Sequence, residues 1–402
     1  MISVDTAKSL IQENTKPLPL HKVTLAIAAG YTLGVDVYAT IDIPAFQQSS
    51  MDGYAIRFQD SSISLDINGE MQAGTDQQFS LSPGQAARIF TGAPLPDGAD
   101  TVVMQEKVQI NNGKLIISDP YLAAGQHVRN KGAEAKSGEL AMVKGSKLTP
   151  AAIGFLAGLG FTDVEIYRAP TVGIIATGKE LQQPGQDLSF GQVYESNSYS
   201  LTAALELAQI NKINFYSADD NLEELTAVLQ EALKNNDVVL LTGGVSVGDY
   251  DFVLRAAEQC AIEQIFHKVK QKPGKPLYFG KKDDKVVFGL PGNPSSVLSC
   301  FYQYVLPALE ILMNYKSNVA LKDQLSSSLK TSLTTLTHEC VKPAGLTHFL
   351  KAHFADGKVT PLNAQESFRM SSFAQANCMI ELEEEETVYP KGATVKIYLF
   401  PE

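Results

Sequence analysis

The chain has 402 residues, 44% of them hydrophobic and 19% charged, the balance of a soluble globular protein but more length than one core needs, so roughly two to four domains are expected. Its 44 acidic against 33 basic side chains leave a formal charge of -11, which excludes general affinity for nucleic acid because a polyanion would meet a repulsive field. Cys260, Cys300, Cys340 and Cys378 stand singly, which excludes a zinc knuckle or a disulfide framework.

The first residues, MISVDTAKSLIQEN, space their apolar positions for an amphipathic helix over Ser3 to Glu13 and lack the apolar core of a signal peptide. No segment reads as long enough to span a membrane, so no membrane partner is expected, and the singly placed cysteines point to a reducing cytoplasm. Val23 to Ala29 and Pro150 to Gly158 are also helix-compatible. Between them, Gly84, Gly92, Gly98, Gly113, Gly125, Gly132, Gly138 and Gly145 punctuate runs such as ARIFTG, DTVVMQEKVQI and KLIISDP, the texture of short strands. Residues 1–170 therefore read as an α+β region with an inserted β subdomain at about 41–140.

From Thr171 strand and helix alternate: TVGIIATG, a helix over Ser198 to Leu207, INFYSAD, a helix over Leu222 to Leu233 with Asp220 and Glu223 as a capping box, then DVVLLTGG. Further strands IEQIFHKVKQ, PLYFG and VVFGLPG precede a helix over Ser295 to Met313. Such alternation predicts a doubly wound parallel sheet over residues 171–316. Residues 317–402 return to strands, THFLKAHF, CMIELEE and ATVKIYLF, and predict a small β barrel. Glu383 to Glu386 reads as a solvated acidic turn.

The most informative stretch is Asp237 to Asp251, DVVLLTGGVSVGDYD, where a buried-strand run stops at Gly243-Gly244 and meets Asp249 and Asp251. In an open parallel sheet, ligands bind beyond the carboxyl ends of the strands. Two carboxylates there point to Mg²⁺ beside phosphate oxygens, although a tight loop with an N-capping aspartate fits the same residues. Three other loops would share that edge: ATGKEL with Thr177, Gly178 and Glu180, SADD with Asp219 and Asp220, and GLPGNPSS, where Gly292 and Pro294 open a helix whose free N–H groups can hold an anion. In FHKVKQKPGKP, Lys268, Lys270 and Lys272 recur with period two and would share one strand face, with Lys275 after a Pro-Gly turn. Lysines on an edge strand that discourage aggregation are the plainer alternative. Ser50, Asp52 and Gly53 in SSMDGYA, and Thr91, Gly92 and Asp100 in IFTGAPLPDGAD, taken alone are turn residues.

In order along the chain, SSMDGYA, IFTGAPLPDGADTVV, VRNKGAE, ATGKEL, YESNSY, TGGVSVGDYD, KPGKP, GLPGNP and SSFAQANC make a collinear set that resembles the MoeA-type molybdopterin molybdenumtransferases and the similar C-terminal part of gephyrin. The resemblance implies insertion of molybdate into adenylylated molybdopterin with release of AMP, a divalent cation, Mg²⁺, and a homodimer whose cleft takes the α/β domain from one subunit and the inserted β domain from the other. Contact with the molybdopterin adenylyltransferase of the preceding step is a further implied partnership. Carried over by position, Asp52, Thr91, Glu180, Asp219 and Asp251 are the implied catalytic residues, with Glu180 and Asp251 as metal ligands. Gly243, Gly244, Ser246, Lys268, Lys272, Lys275, Pro291 and Pro294 are the implied substrate-binding set.

The chain departs from the family pattern at three places: Lys179 beside Glu180 where TGDEL is common, Glu134 where an aspartate is frequent, and YESN where YDSN or YDTN is frequent. Two other functions compete. Adenylyl transfer uses the same type of α/β domain but not the flanking β regions or the SSMDGYA and IFTGA motifs. A dimeric scaffold would need a linker and partner domain that this sequence does not show.

Overall fold

The structure is a computed structural model that describes residues 1–219, 221–244, 252–315 and 329–401. It divides into two compact units, one of Met1–Lys22, Gly30–Gly34 and Glu165–Glu402, the other of Val23–Ala29 and Val35–Val164.

The first unit is built on a six-stranded sheet in the order Ile213–Ala218, Val172–Thr177, Val238–Thr242, Lys285–Leu290, Tyr278–Lys282, Glu263–His267. The first four strands are parallel, Tyr278–Lys282 runs antiparallel to both its neighbours, and Glu263–His267 therefore points the same way as the first four. Alternate residues feed opposite faces, as period-two strands buried on both sides require. Ile174, Leu240 and Phe288 join one core; Ile175, Leu241 and Val287 join the other. The N-terminal helix Val4–Asn14 is capped by Ser3, whose hydroxyl accepts the Thr6 N–H at 3.1 Å. Its Val4, Ala7 and Ile11 enter the first of those cores.

Helix Leu222–Asn235 opens on Asn221, whose side chain accepts from the Glu223 and Glu224 amides at 2.9 and 3.3 Å. The cap is thus Asn221 and not the expected Asp220, which lies outside the described residues. The last long helix is interrupted: Pro294–Cys300 passes through a π-helical turn, Phe301–Val305, into Leu306–Leu312. By length and composition Pro294–Leu312 could cross a membrane, contrary to the sequence expectation, but most of it is buried inside this unit, so it is a core helix. The C-terminal strands close a five-stranded barrel, because Thr347–Ala355 pairs with both Lys358–Pro361 and Cys378–Leu382 while Thr331–Leu336 and Thr394–Leu399 complete the ring. All four cysteines are free and buried.

The second unit centres on another six-stranded sheet, in the order Thr101–Met104, Gly53–Ile56, Gln85–Ile89, Leu65–Met71, Lys114–Ile117, Val108–Asn111. At Gly53 a Cβ would stand 1.9 Å from the Val103 carbonyl oxygen, so the motif's glycine is there to let two backbones meet. The helix Pro150–Gly158 forms as expected, with Thr149 accepting the Ala152 N–H at 3.2 Å. Val23 to Ala29 does not form the expected helix: strand Leu20–Thr24 runs into one 3-10 turn, Leu25–Ile27, in keeping with the preference of β-branched Val23 and Thr24 for extended backbone.

Candidate functional site

Strand Val172–Thr177 has Ile213–Ala218 on one side and Val238–Thr242 on the other, so strand order reverses between Val172–Thr177 and Val238–Thr242. Such a switch point opens a crevice at the carboxyl edge. The Thr177 hydroxyl is buried there and donates to the Thr242 carbonyl at 3.0 Å. Gly243 follows with φ +87 and room for no Cβ, since one would lie 2.8 Å from both Thr177 O and Oγ1. Gly244, φ +65, is similarly confined against Val253. The Gly243 N–H donates to the Leu290 carbonyl at 3.2 Å, which brings the loop of Pro291 and Gly292 alongside. Asn197 of YESN donates to the Gly292 carbonyl at 2.9 Å and is itself buried.

The Glu180 carboxylate is exposed and folds back over Gly178, where a Cβ would be 2.7 Å from Oε2. Asp219 is exposed at the end of the neighbouring strand, and its N–H donates to Glu224 Oε1 at 3.2 Å. Asp220, Ser246, Asp249 and Asp251 lie outside the described residues. Among the described residues no three His, Cys, Asp or Glu side chains gather as a metal site, and of the two implied Mg²⁺ ligands only Glu180 is among them.

Helix Pro294–Cys300 offers less to an anion than expected. Pro294 has no N–H, the Ser295 N–H donates to the Ser367 carbonyl at 3.1 Å, and the Ser296 and Val297 amides donate to the Asn293 carbonyl at 2.9 and 3.0 Å. The first turn is thereby satisfied within the protein, which leaves Pro291 and Pro294 as shape rather than donors.

The lysines leave the same edge farther along. Strand Glu263–His267 ends before them, and Lys268 has φ +72, so Lys268, Lys270 and Lys272 do not share one strand face. Lys270 instead pairs with Glu384 at 2.6 Å, which takes that glutamate out of the solvated turn expected for residues 383–386. Lys272 and Lys275 are exposed. The loop that carries Lys272 and Lys275 turns back onto helix Pro294–Cys300, since a Cβ at Gly274 would be 3.6 Å from the Ser296 carbonyl, and a Cβ at Gly292 just before that helix would be 3.8 Å from Gly243 Cα; the loop is the candidate oxyanion station. Sequence reading passed over His348, which pairs in register with Lys272. It is 7% exposed with its Nε2 unpartnered, and burial, with Lys342 and Lys272 nearby, pushes its pKa down to about 4. Its signal lies in strand register with a residue 76 positions away, 348 minus 272, which no local motif carries.

In the second unit one carboxylate oxygen of Asp52 accepts from both the Thr91 N–H at 2.7 Å and the Thr91 hydroxyl at 2.8 Å. These bonds hold the Asp52 carboxyl below the usual carboxylate range. Both residues are exposed, so the pair presents a fixed negative charge to solvent. Ser50 and Asp100 are structural: the Ser50 hydroxyl donates to the His127 carbonyl at 3.1 Å, and Asp100 accepts from Phe58 N at 2.7 Å and Thr101 Oγ1 at 2.8 Å. A cleft of about 450 Å³ in the same unit is lined by Ile43, Pro44, Phe46, Gln48, Arg129 and Glu134 among others. Arg129 and Glu134 both come from VRNKGAE, a motif whose arginine sequence reading did not single out.

Three family models match in chain order: "MoeA N-terminal region (domain I and II)" over residues 2–160, "Probable molybdopterin binding domain" over 173–311 and "MoeA C-terminal region (domain IV)" over 335–400. A molybdopterin molybdenumtransferase of Haemophilus influenzae is 33% identical over 409 residues, covering 100% of this chain and 99% of its own length. The chain belongs to the MoeA family. The Bacillus subtilis molybdopterin molybdenumtransferase is likewise 33% identical, over 416 residues that cover 100% of this chain and 94% of its own. Among solved structures, two of the MoeA protein of Pyrococcus horikoshii, 29% and 28% identical, align over 100% of both chains with TM-scores of 0.85 and 0.82.

One departure from the MoeA pattern is explained by the fold. Glu195 of YESN is buried and accepts from the Ser198 N–H at 2.9 Å and from its hydroxyl, so it caps helix Asn197–Leu207, and the extra methylene reaches its own helix. Nothing in the structure explains Lys179.

Proposed function

We propose that this MoeA-family chain is a molybdopterin molybdenumtransferase that inserts molybdate into adenylylated molybdopterin and releases AMP in molybdenum cofactor biosynthesis. The observation that carries this reading is the full-length family match, whose motif loops ATGKEL, TGG and GLPGNP meet at one switch point. Gly243 and Gly244 supply the close backbone approach that a bulky pterin phosphate needs. Exposed Lys272 and Lys275, with Lys268, are point charges suited to a tetrahedral oxyanion.

Asp52 and Thr91 act as one unit, because the threonine fixes the carboxylate that would face substrate or metal-bound water. In the reading we favour, the protein works as a cytoplasmic homodimer in which Asp52 and Thr91 of one protomer serve the site of its partner. Glu180, with Asp251, is proposed to hold Mg²⁺, which when bound would offset charge on the phosphoanhydride; no step is assigned to the ion beyond that.

AMP release from adenylylated molybdopterin by the Asp251→Ala variant tests the reading. A drop of at least tenfold is expected, and unchanged turnover would refute the role of that carboxylate. Adenylyl transfer is distinguished by ATP consumption with molybdopterin, which the reading predicts to be absent.

A further inference from the structure

The loop that carries Lys272 and Lys275 is held from beneath by a buried polar pair. Gln271 is 1% exposed, and both ends of its amide are used. Its Nε2 donates to the Gly274 carbonyl at 3.0 Å, and its Oε1 accepts the hydroxyl of Tyr304. Tyr304 is fully buried and belongs to the π-helical turn Phe301–Val305, a helix irregularity that in general is found at functional sites more than elsewhere. Gly274 has φ +85 and packs so closely that a Cβ would stand 2.5 Å from Cys300 Sγ and 3.0 Å from Gln271 Nε2. Around this point the backbone is pinned again: the Val269 N–H donates to Lys275 O at 3.0 Å and the Lys268 N–H to Leu277 O at 2.9 Å.

Lysine has a flexible four-carbon stem, so two ammonium groups converge on one oxyanion only if their backbone origins are fixed. An ordinary hydrophobic core would fix them less directionally than a hydrogen bond to the carbonyl between them. We propose that Gln271 and Tyr304 are positioning residues for the oxyanion station: the Tyr304 hydroxyl orients the Gln271 amide, and the amide sets the Gly274 carbonyl, so that Lys272 and Lys275 meet molybdate at a preset spacing. This inference rests on the reading of those lysines as the molybdate holders.

The test is a kinetic cycle on the full-length protein with molybdate and adenylylated molybdopterin. Tyr304→Phe keeps the ring and removes only the hydroxyl. It is expected to raise the KM for molybdate about fivefold or more, with the KM for adenylylated molybdopterin within twofold of the parent. Lys272→Ala/Lys275→Ala is expected to raise the molybdate KM as well, and Tyr304→Phe added to that background is expected to change it by less than twofold, because residues that act through one another are not additive. If the lysine variant leaves the molybdate KM unchanged, the reading of the lysines fails and the inference falls with it. If the lysine variant raises it but Tyr304→Phe does not, or if the Tyr304→Phe effect persists without the lysines, the positioning role alone is overturned. Should Tyr304→Phe not fold, Gln271→Met, which keeps the volume and loses both bonds, is read by the same criteria.

Discussion

Asp237 opens the most diagnostic strand of the chain, yet its side chain faces away from the chemistry. It accepts a bidentate pair from Arg168 at 2.7 and 2.8 Å, plus the Thr171 N–H and hydroxyl, both at 2.8 Å. Burial alone would raise this carboxyl; the Arg168 and Thr171 bonds overcome it and hold the pKa at about 2. A folded pKa below the unfolded value stabilises the fold fully above about pH 4 and loses that contribution as pH falls toward 2. The shift corresponds to about 2 to 3 kcal/mol at most, and the Arg168 side chain is 38% exposed, so solvent screening reduces it to about 1 to 2 kcal/mol. Asp237→Asn should therefore cost about 1 to 2 kcal/mol at pH 7 and progressively less below pH 4. Kinetics should not change, since Asp237 precedes the strand by which Thr242 reaches the site, roughly 17 Å away. Because a chain of several domains does not unfold in one step, amide hydrogen exchange of Val238 to Leu241 is the suitable readout, compared between parent and variant from pH 7 to pH 3. A difference that is absent at pH 7, or that stays constant down to pH 3, would refute the reasoning.

Gly53→Ala should destabilise the second unit by about 3 kcal/mol or more, because its Cβ would need space held by the Val103 carbonyl; limited proteolysis at residues 35–164 checks this. His348 is held neutral with its pKa near 4, so between pH 6.5 and 4 the unfolded chain takes up a proton that the folded chain refuses and stability falls with acidification. His348→Gln should remove up to about 3 kcal/mol of that loss, seen as a flatter dependence on pH of amide-exchange protection in strand Thr347–Ala355. Asp52→Ala and Thr91→Ala should each lower kcat/KM at least about tenfold, and the double variant should be little worse than either single one, as expected for a unit.

The parallel strands, the glycine pair at Gly243 and the barrel strands were legible because their patterns are local: alternating burial and positive φ leave their mark within a few residues. Capping was legible only in kind, since Asn221 and Asp220 stand side by side and only geometry chooses between them. The period-two lysine face failed because Lys268 turns left-handed at φ +72, a conformation that spacing does not announce. What could not be read at all depends on distant segments: Lys270 with Glu384, His348 beside Lys272, and Gln271 under Tyr304. The helix opening at Pro294 had the sequence grammar of an anion site, but the Ser367 carbonyl already takes its Ser295 N–H.

The central claim is molybdate transfer coupled to AMP release. It is tested most directly by incubating the purified chain with adenylylated molybdopterin and molybdate, then counting AMP released against cofactor able to activate a molybdenum-dependent apoenzyme. Molybdate-dependent release of AMP and active cofactor in equal amounts is expected. Intact adenylylated molybdopterin at the end of the reaction, or AMP released without active cofactor, would contradict it.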